Sequence, residues 1–216
     1  VLARPHRVRP LLESLLASQE DTELRPVFIA SPGDQPEIDA VRETGAELMI
    51  VDWEPGSGDF ARKHNALVRA VESDWYFVGA DDLAFHPGWA EEALRVQAET
   101  EACVIGTNDL GNPTVRTGIH ATHMLICRDY LKCNPVVDAP GLLFCEEYDH
   151  ACCDNELVET AQWRGTYAHA HDSVVEHLHP FWGKSARDLT YDKGLARSME
   201  DRTLYSSRRH LWTRVS

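Results

Sequence analysis

Asp81 and Asp82 are the residues whose type and position most directly suggest chemistry. They follow Trp75-Tyr76-Phe77-Val78, a continuous apolar run that reads as a buried strand, through Gly79-Ala80. In open α/β sheets, ligands bind beyond the carboxyl ends of the strands. Two adjacent carboxylates there repel each other unless something positive is present, and a hard divalent cation with its phosphate ligands is such a partner. The alternative is a helix-capping Asp beside a surface Asp ahead of Pro87. His177 and His179 are two apart, so on a strand their imidazoles share a face and can ligate a metal. They also read as half-buried strand histidines before a Pro turn, and His169 and His171 repeat the spacing. Arg62 and Lys63 can grip a pyrophosphate, Arg in bidentate fashion, or form a solvated helix face.

These side chains need elements to hold them. Val8, Leu11, Leu12, Leu15 and Leu16 recur at helical spacing. Pro26 to Ala30 is a short buried strand stopped by Ser31-Pro32-Gly33-Asp34, and Ile38 and Val41 mark a helix ending at Gly45. Leu48 to Val51 is a second strand. Asp59 caps a helix running to about Val71, and Trp75 to Val78 is the third strand. Strand and helix alternate, which predicts right-handed crossovers and a mostly parallel, Rossmann-like central sheet flanked by helices. Beyond it, Pro87 starts a helix to about Ala98. Strands are expected at Cys103–Ile105, Ile119–Cys127 and Ser173–His179, and a helix from Asp154 to Gly165. Asp154 at that helix start is an ordinary N-cap, with Asn155 and Glu156 favourable to the dipole.

The chain has 216 residues and a formal net charge of −14, so it makes a poor grip for a nucleic-acid backbone. The charge is uneven. From Lys184 to Ser216 there are eight Lys/Arg and four Asp/Glu, against 13 and 31 in the first 183 residues. This suggests a body over 1–183 and a basic extension over 184–216 that packs on it or closes over an anionic ligand. Six Cys without regular spacing argue for reduced thiols and a cytoplasmic setting. No apolar run is long enough to span a bilayer, and Val1-Leu2-Ala3-Arg4-Pro5 has neither a signal peptide nor an initiator Met, which suggests trimming.

Taken in order, several stretches resemble the nucleotide-sugar glycosyltransferases of the GT-A fold, specifically the inverting family 2, including compact phage-type members. They are Ala3-Arg4-Pro5 with the Leu-rich helix to Ser18, Gly58 to Leu67, Asp74 to Leu83 with His86-Pro87-Gly88-Trp89, and Asp154-Asn155-Glu156-Leu157 with Gly165. The match covers roughly residues 1–180. The resemblance implies a metal-dependent transfer of a sugar from a nucleoside diphosphate sugar, with UDP-sugar the leading donor, to an acceptor hydroxyl with inversion. It implies Mn2+ or Mg2+ on Asp82, completed by a late His, His177 ahead of His179. It places Asp81 toward the ribose, Asp154 as the general base, and Ala3, Arg4, Arg62, Lys63 and Asn65 around the donor. The strand-end acid that reads the nucleobase in the family has Ser31 or Asp34 in its place. Glu146, Glu147 and Asp149 are rivals for the base, and Trp182 is the aromatic nearest either substrate.

Other readings use the same residues. A metal-dependent nucleotide-sugar hydrolase would activate water instead. A structural zinc protein would draw on His150, Cys152, Cys153, His169, His171, His177 and His179, although adjacent cysteines do not have zinc spacing. A nucleotide-binding module without turnover is the third. The acceptor, whether protein, small molecule, polysaccharide or nucleic-acid base, is not legible.

Overall fold

The computed structural model describes residues 4–213; Ala3 lies outside them. After a 3-10 turn at Pro5–Arg7, helix α1 spans Val8–Ala17, strand β1 Val27–Ala30, helix α2 Gln35–Thr44, strand β2 Glu47–Ile50 and helix α3 Asp59–Ala70. Strand β3 spans Trp75–Phe77, β4 Leu83–Phe85, helix α4 Trp89–Thr100, strand β5 Val104–Asn108 and the short helix α5 Pro113–Arg116. Strand β6 (Met124–Cys127) runs into the short helix α6 (Arg128–Leu131). Helix α7 (Cys153–Trp163) then precedes the long strand β7 (Tyr167–His177), and helix α8 covers Leu189–Arg208.

The α/β class is as expected, but the strand directions are mixed rather than mostly parallel. β1 and β2 form a parallel pair. The other five strands form one sheet in the order β3-β6-β5-β7-β4. Within it only β5 and β7 run parallel, joined by a connection that carries α7; β3–β6, β5–β6 and β4–β7 are antiparallel. The departure lies in the connections. β6 enters between β3 and β5 and runs antiparallel to both, and β4 lies antiparallel along β7.

Several boundaries also move. β6 begins only at Met124, because Asn112 to Gly118 builds α5 with Asn112 as its side-chain cap. β7 begins at Tyr167, six residues before Ser173, because its first half pairs with β5. α4 starts at Trp89 behind Gly88 in the left-handed region (φ 74°), so Pro87 lies outside it. α3 is preceded by Gly58 (φ 71°), and Asp59 does not cap it; that carboxylate bonds Trp53 Nε1 and pairs with Lys63 instead.

The main core lies between β5, β6, α3, α7 and the 142–148 loop, and includes Val104, Met124, Ile126, Phe144, Tyr148 and Leu157. A second layer of Leu83, Trp89, Ala90 and Val175 seals β4 and β7 against α4. α8 docks on this body through a buried salt bridge. Arg208 donates to both carboxylate oxygens of Glu156 at 2.9 Å and to those of Asp138 at 2.7 and 3.0 Å. Asp201, also on α8, accepts the backbone N–H groups of Asp149, His150 and Ala151 at 2.7–3.0 Å. A sequence this polar gave no helical stripe to read, since only Gly194, Asp201 and Arg208 of α8 are buried.

Candidate active site

The acidic pair sits just beyond β3, and both residues are 3% exposed. Leu178 N–H donates to the Asp82 carbonyl at 2.7 Å, and Leu83 lies opposite His177 in the β4–β7 register. That pairing brings His177 Nε2 to 3.3 Å from Asp82 Oδ2. The two carboxylates are not a bare like-charge pair. Arg4 donates from one terminal nitrogen to Asp81 Oδ1 at 2.5 Å, and the same nitrogen is 3.6 Å from Asp82 Oδ2. Its Nε donates to Asp188 Oδ2 at 2.7 Å, and its guanidinium carbon lies 4.1 Å from the ring centre of Tyr191. Tyr191 in turn donates its hydroxyl to Asp82 Oδ2 at 2.6 Å. Burial alone would raise the Asp82 pKa. The His177 imidazole, the Tyr191 hydroxyl and the Arg4 charge overcome that and hold it well below the usual carboxylate range. His177 is shifted up: burial opposes its charge, but Asp82 favours it more.

The two histidines of the His-x-His stretch are not equivalent. His179 Nδ1 accepts the Phe181 N–H at 3.1 Å, fixing the turn at Pro180–Trp182. A neutral ring that accepts at Nδ1 carries its proton at Nε2, so it has no lone pair left for a cation while that bond stands. His177 is the imidazole aimed at the carboxylate. One carboxylate oxygen and one imidazole nitrogen, with Asp81 beside them, suit a cation of the Mn2+ type. Among the described residues no group of three or more His, Cys, Asp or Glu side chains is gathered as a ready metal cage. Phosphate oxygens and water would therefore have to complete a coordination shell. The same finding leaves the Cys/His-rich stretch without a structural zinc arrangement among the described residues. Cys153 is buried in the core, and burial raises its thiol pKa.

A second group lies at the carboxyl end of β1 and the start of α3. Lys63 is 1% exposed, between Asp34 Oδ2 at 3.2 Å and Asp59 Oδ2 at 3.0 Å. Asp34 Oδ2 also accepts the Ser31 N–H at 2.9 Å. Arg62 stacks over Trp53, 4.4 Å from its ring centre. The solvated-face reading thus fails for Lys63, whose charge ties β1 to α3. Asn65 is fully buried and its amide is spent on the chain around Phe144: Oδ1 accepts Leu143 and Phe144 N–H, and Nδ2 donates to the Phe144 carbonyl and to Glu146. It positions that loop, Glu146 included.

Asp154 occupies the first turn of α7 and is not its cap; Cys152 (φ 69°) precedes the helix without a side-chain cap. Its side chain is 20% exposed and pairs with His120 Nε2 at 3.4 Å. Burial pushes the Asp154 pKa up, but His120 and the Asn155 N–H leave it below its ordinary value. His120 is shifted up, because the pairing outweighs burial.

Sequence reasoning missed four residues here. His120 and Tyr191 carry no local pattern. Asp109 carried a weak one, as a polar residue just past the carboxyl end of an apolar strand; His123, at the amino end of β6, lay inside the run expected as a strand. His64 and His123 pin the approach to the acidic pair, bonding the consecutive carbonyls of Gly79 (3.1 Å) and Val78 (2.9 Å). Burial pushes them down to about 3 and about 4, so both are neutral.

No protein-family model matches the chain. A search of curated proteins finds no match either. Among solved structures the likeness is extensive. The mannosyltransferase PcManGT from Pyrobaculum calidifontis, in complex with GDP-Man and Mn2+, superposes with a TM-score of 0.65 at 13% identity, over 98% of this chain and 67% of that one. The S. aureus TarS structure in complex with UDP-GlcNAc gives 0.55 at 14%, over 95% and 66%. Glucosyl-3-phosphoglycerate synthase from Mycobacterium tuberculosis, with Mn2+, UDP-Glc and phosphoglyceric acid, gives 0.59 at 16%, over 91% and 74%. At such identities the likeness speaks to architecture: the chain has the GT-A fold of these glycosyltransferases.

Proposed function

We propose that the chain is a metal-dependent glycosyltransferase that moves a sugar from a nucleoside diphosphate sugar to an acceptor hydroxyl, with inversion. One observation carries the reading. The strand ends hold a buried carboxylate–imidazole pair, Asp82–His177, and a second, partly open carboxylate, Asp154, stands in the first turn of α7 paired with His120. The solved neighbours of this fold carry GDP-Man, UDP-GlcNAc or UDP-Glc, two of them with Mn2+, which supports the donor class.

Asp82 and His177 would hold the cation, and His179 would hold the turn beside it. A divalent cation there supplies Lewis-acid stabilisation of the diphosphate as the glycosidic bond breaks. Arg4, once released from Asp81, can offer its fork to a diphosphate oxygen. Asp34 and Lys63 fix the loop after β1, where a nucleobase would sit, and a UDP-sugar is the donor we favour. Asp154 would take the proton of the acceptor hydroxyl at its freer carboxylate oxygen, and His120 keeps it ionised until then.

Two measurements on one variant test this. UDP or GDP should raise the melting temperature only with Mn2+ present, because a ligand of the native state stabilises by mass action. Asp154→Asn should keep that shift and lose transfer by about a hundredfold to ten-thousandfold. A nucleotide shift that survives chelator removes the metal assignment. Rapid donor breakdown without acceptor, undiminished in the variant, would favour a hydrolase.

A further inference from the structure

Two polar atoms near His177 are buried and have no hydrogen-bond partner among the described residues: His123 Nε2 and Asp109 Oδ2. His123 is 4% exposed and Asp109 2%. They lie at the same end of the β5–β6 pair. Gly106 pairs with Met124 in the β5–β6 register, so Thr107 lies opposite His123, and both the Thr107 N–H and its hydroxyl donate to the His123 carbonyl, at 3.1 and 2.9 Å. Asp109 lies one residue past the end of β5, where the chain turns and its carboxylate accepts the Gly111 N–H. The His123 ring stands 5.1 Å from that of His177 at 84°, next to the imidazole that faces Asp82.

The hydrogen-bonding character of the two atoms is fixed. His123 Nδ1 donates its proton to the Val78 carbonyl at 2.9 Å, so Nε2 is a bare lone pair. Asp109 Oδ1 already accepts the Gly111 N–H at 3.0 Å, which leaves Oδ2 as a pure acceptor. Leaving such atoms buried and unpaired costs on the order of 1–3 kcal/mol each. A site that tolerates this is built for a ligand that brings donors. A phosphate brings none, and its charge would oppose Asp109. Sugar hydroxyls do bring them, and the place beside the metal pair is where the hexose of a donor would lie.

We infer that His123 Nε2 and Asp109 Oδ2 are the sugar-reading pair of the donor site, each accepting a hydrogen bond from a free ring hydroxyl. This rests on the glycosyltransferase reading and narrows its substrate to donors with unsubstituted hydroxyls at two ring positions. A deoxy sugar would leave one buried acceptor unpaired, a loss that sites of this kind punish strongly.

Calorimetry separates the possibilities, with UDP and GDP, each free and as the glucose or mannose conjugate, all with Mn2+. In the wild type the sugar should tighten binding over the bare diphosphate. Asp109→Asn and His123→Asn, whose amide can keep the bond to the Val78 carbonyl, should abolish that gain, about tenfold or more, and leave diphosphate affinity within twofold. Nitrogen NMR of His123 gives a second readout: its unprotonated Nε2 signal should move with the nucleotide sugar and stay with the bare diphosphate. Weaker diphosphate binding in His123→Asn would make His123 a metal ligand and overturn the inference. Unchanged sugar gain in both variants would reduce the pair to structural residues. A wild type that binds no diphosphate under any metal condition would instead sink the glycosyltransferase reading, and this assignment with it.

Discussion

Replacing Tyr191 by Phe should make the protein bind metal and nucleotide more tightly. The Tyr191 hydroxyl donates to Asp82 Oδ2 at 2.6 Å, the oxygen that a cation would need, and His177 and Arg4 crowd the same atom at 3.3 and 3.6 Å. On the proposed metal assignment, loading would be an exchange in which the hydroxyl yields its place at Oδ2 to the cation. A hydrogen bond to a charged group contributes about 1.5–3 kcal/mol net. Phe keeps the ring under Arg4 and removes that bond together with the long one from the same hydroxyl to the Leu178 carbonyl at 3.4 Å, so the cost of opening disappears. At tenfold per 1.4 kcal/mol, affinity for UDP with Mn2+ should rise by about 10- to 100-fold in calorimetry. The same loss destabilises the ligand-free protein, and a domain of this size melts roughly 2–4 °C lower per kcal/mol. The variant should thus melt roughly 3–12 °C below the wild type without ligand and regain most of the gap with it. Equal or weaker nucleotide affinity in Tyr191→Phe would refute the competition, since Tyr191 would then belong to the loaded state.

Two further outcomes follow from other contacts. Arg208→Met removes the cation shared by buried Glu156 and by Asp138, and thermal or urea unfolding should show a loss of about 3–5 kcal/mol; a change under 1 kcal/mol would mean that the pair is solvated. His64 is held down to about 3, chiefly by burial, so its folded pKa lies below its unfolded value. As pH falls below about 6.5 the unfolded chain takes up a proton that the folded one does not, and stability should drop by about 1.4 kcal/mol per pH unit on its account. His120 and His177, shifted up, act in the opposite sense, their stabilisation growing as pH falls toward the unfolded value, equally in the wild type and in the variant. Urea unfolding at pH 7 and pH 5 should show His64→Gln losing less stability than the wild type; parallel losses would place the acid sensitivity elsewhere.

The first half of the fold was largely legible. The Leu stripe of α1, the apolar runs of β1, β2 and β3 and the Gly45 stop of α2 each put the right period beside the right punctuation. The strand-end rule also led to Asp81 and Asp82 before any geometry was known. What stayed hidden is what depends on partners distant in sequence. α8 buries almost no apolar residue, so its docking is written in isolated charges, Asp201 and Arg208, that look like surface residues. β4 is three residues long and owes its existence to β7. Lys63 reads as a solvated helix lysine until β1 brings Asp34 to it. Tyr191 lies 109 residues from the carboxylate it holds, and no local pattern connects the two.

That separation also has a consequence in time. Chains are made from the amino end at about 5–20 residues per second, so Asp82 waits roughly 5–20 s for a tyrosine 109 residues later. Glu156 emerges 52 residues before Arg208. His177 emerges 95 residues after Asp82 and 14 before Tyr191, so the carboxylate–imidazole pair stands without its tyrosine for roughly 1–3 s. On the proposed metal assignment, that is the interval in which a cation would meet Asp82 and His177 with no hydroxyl to displace, and the order of synthesis would decide whether a molecule first closes around an ion or around its own tyrosine.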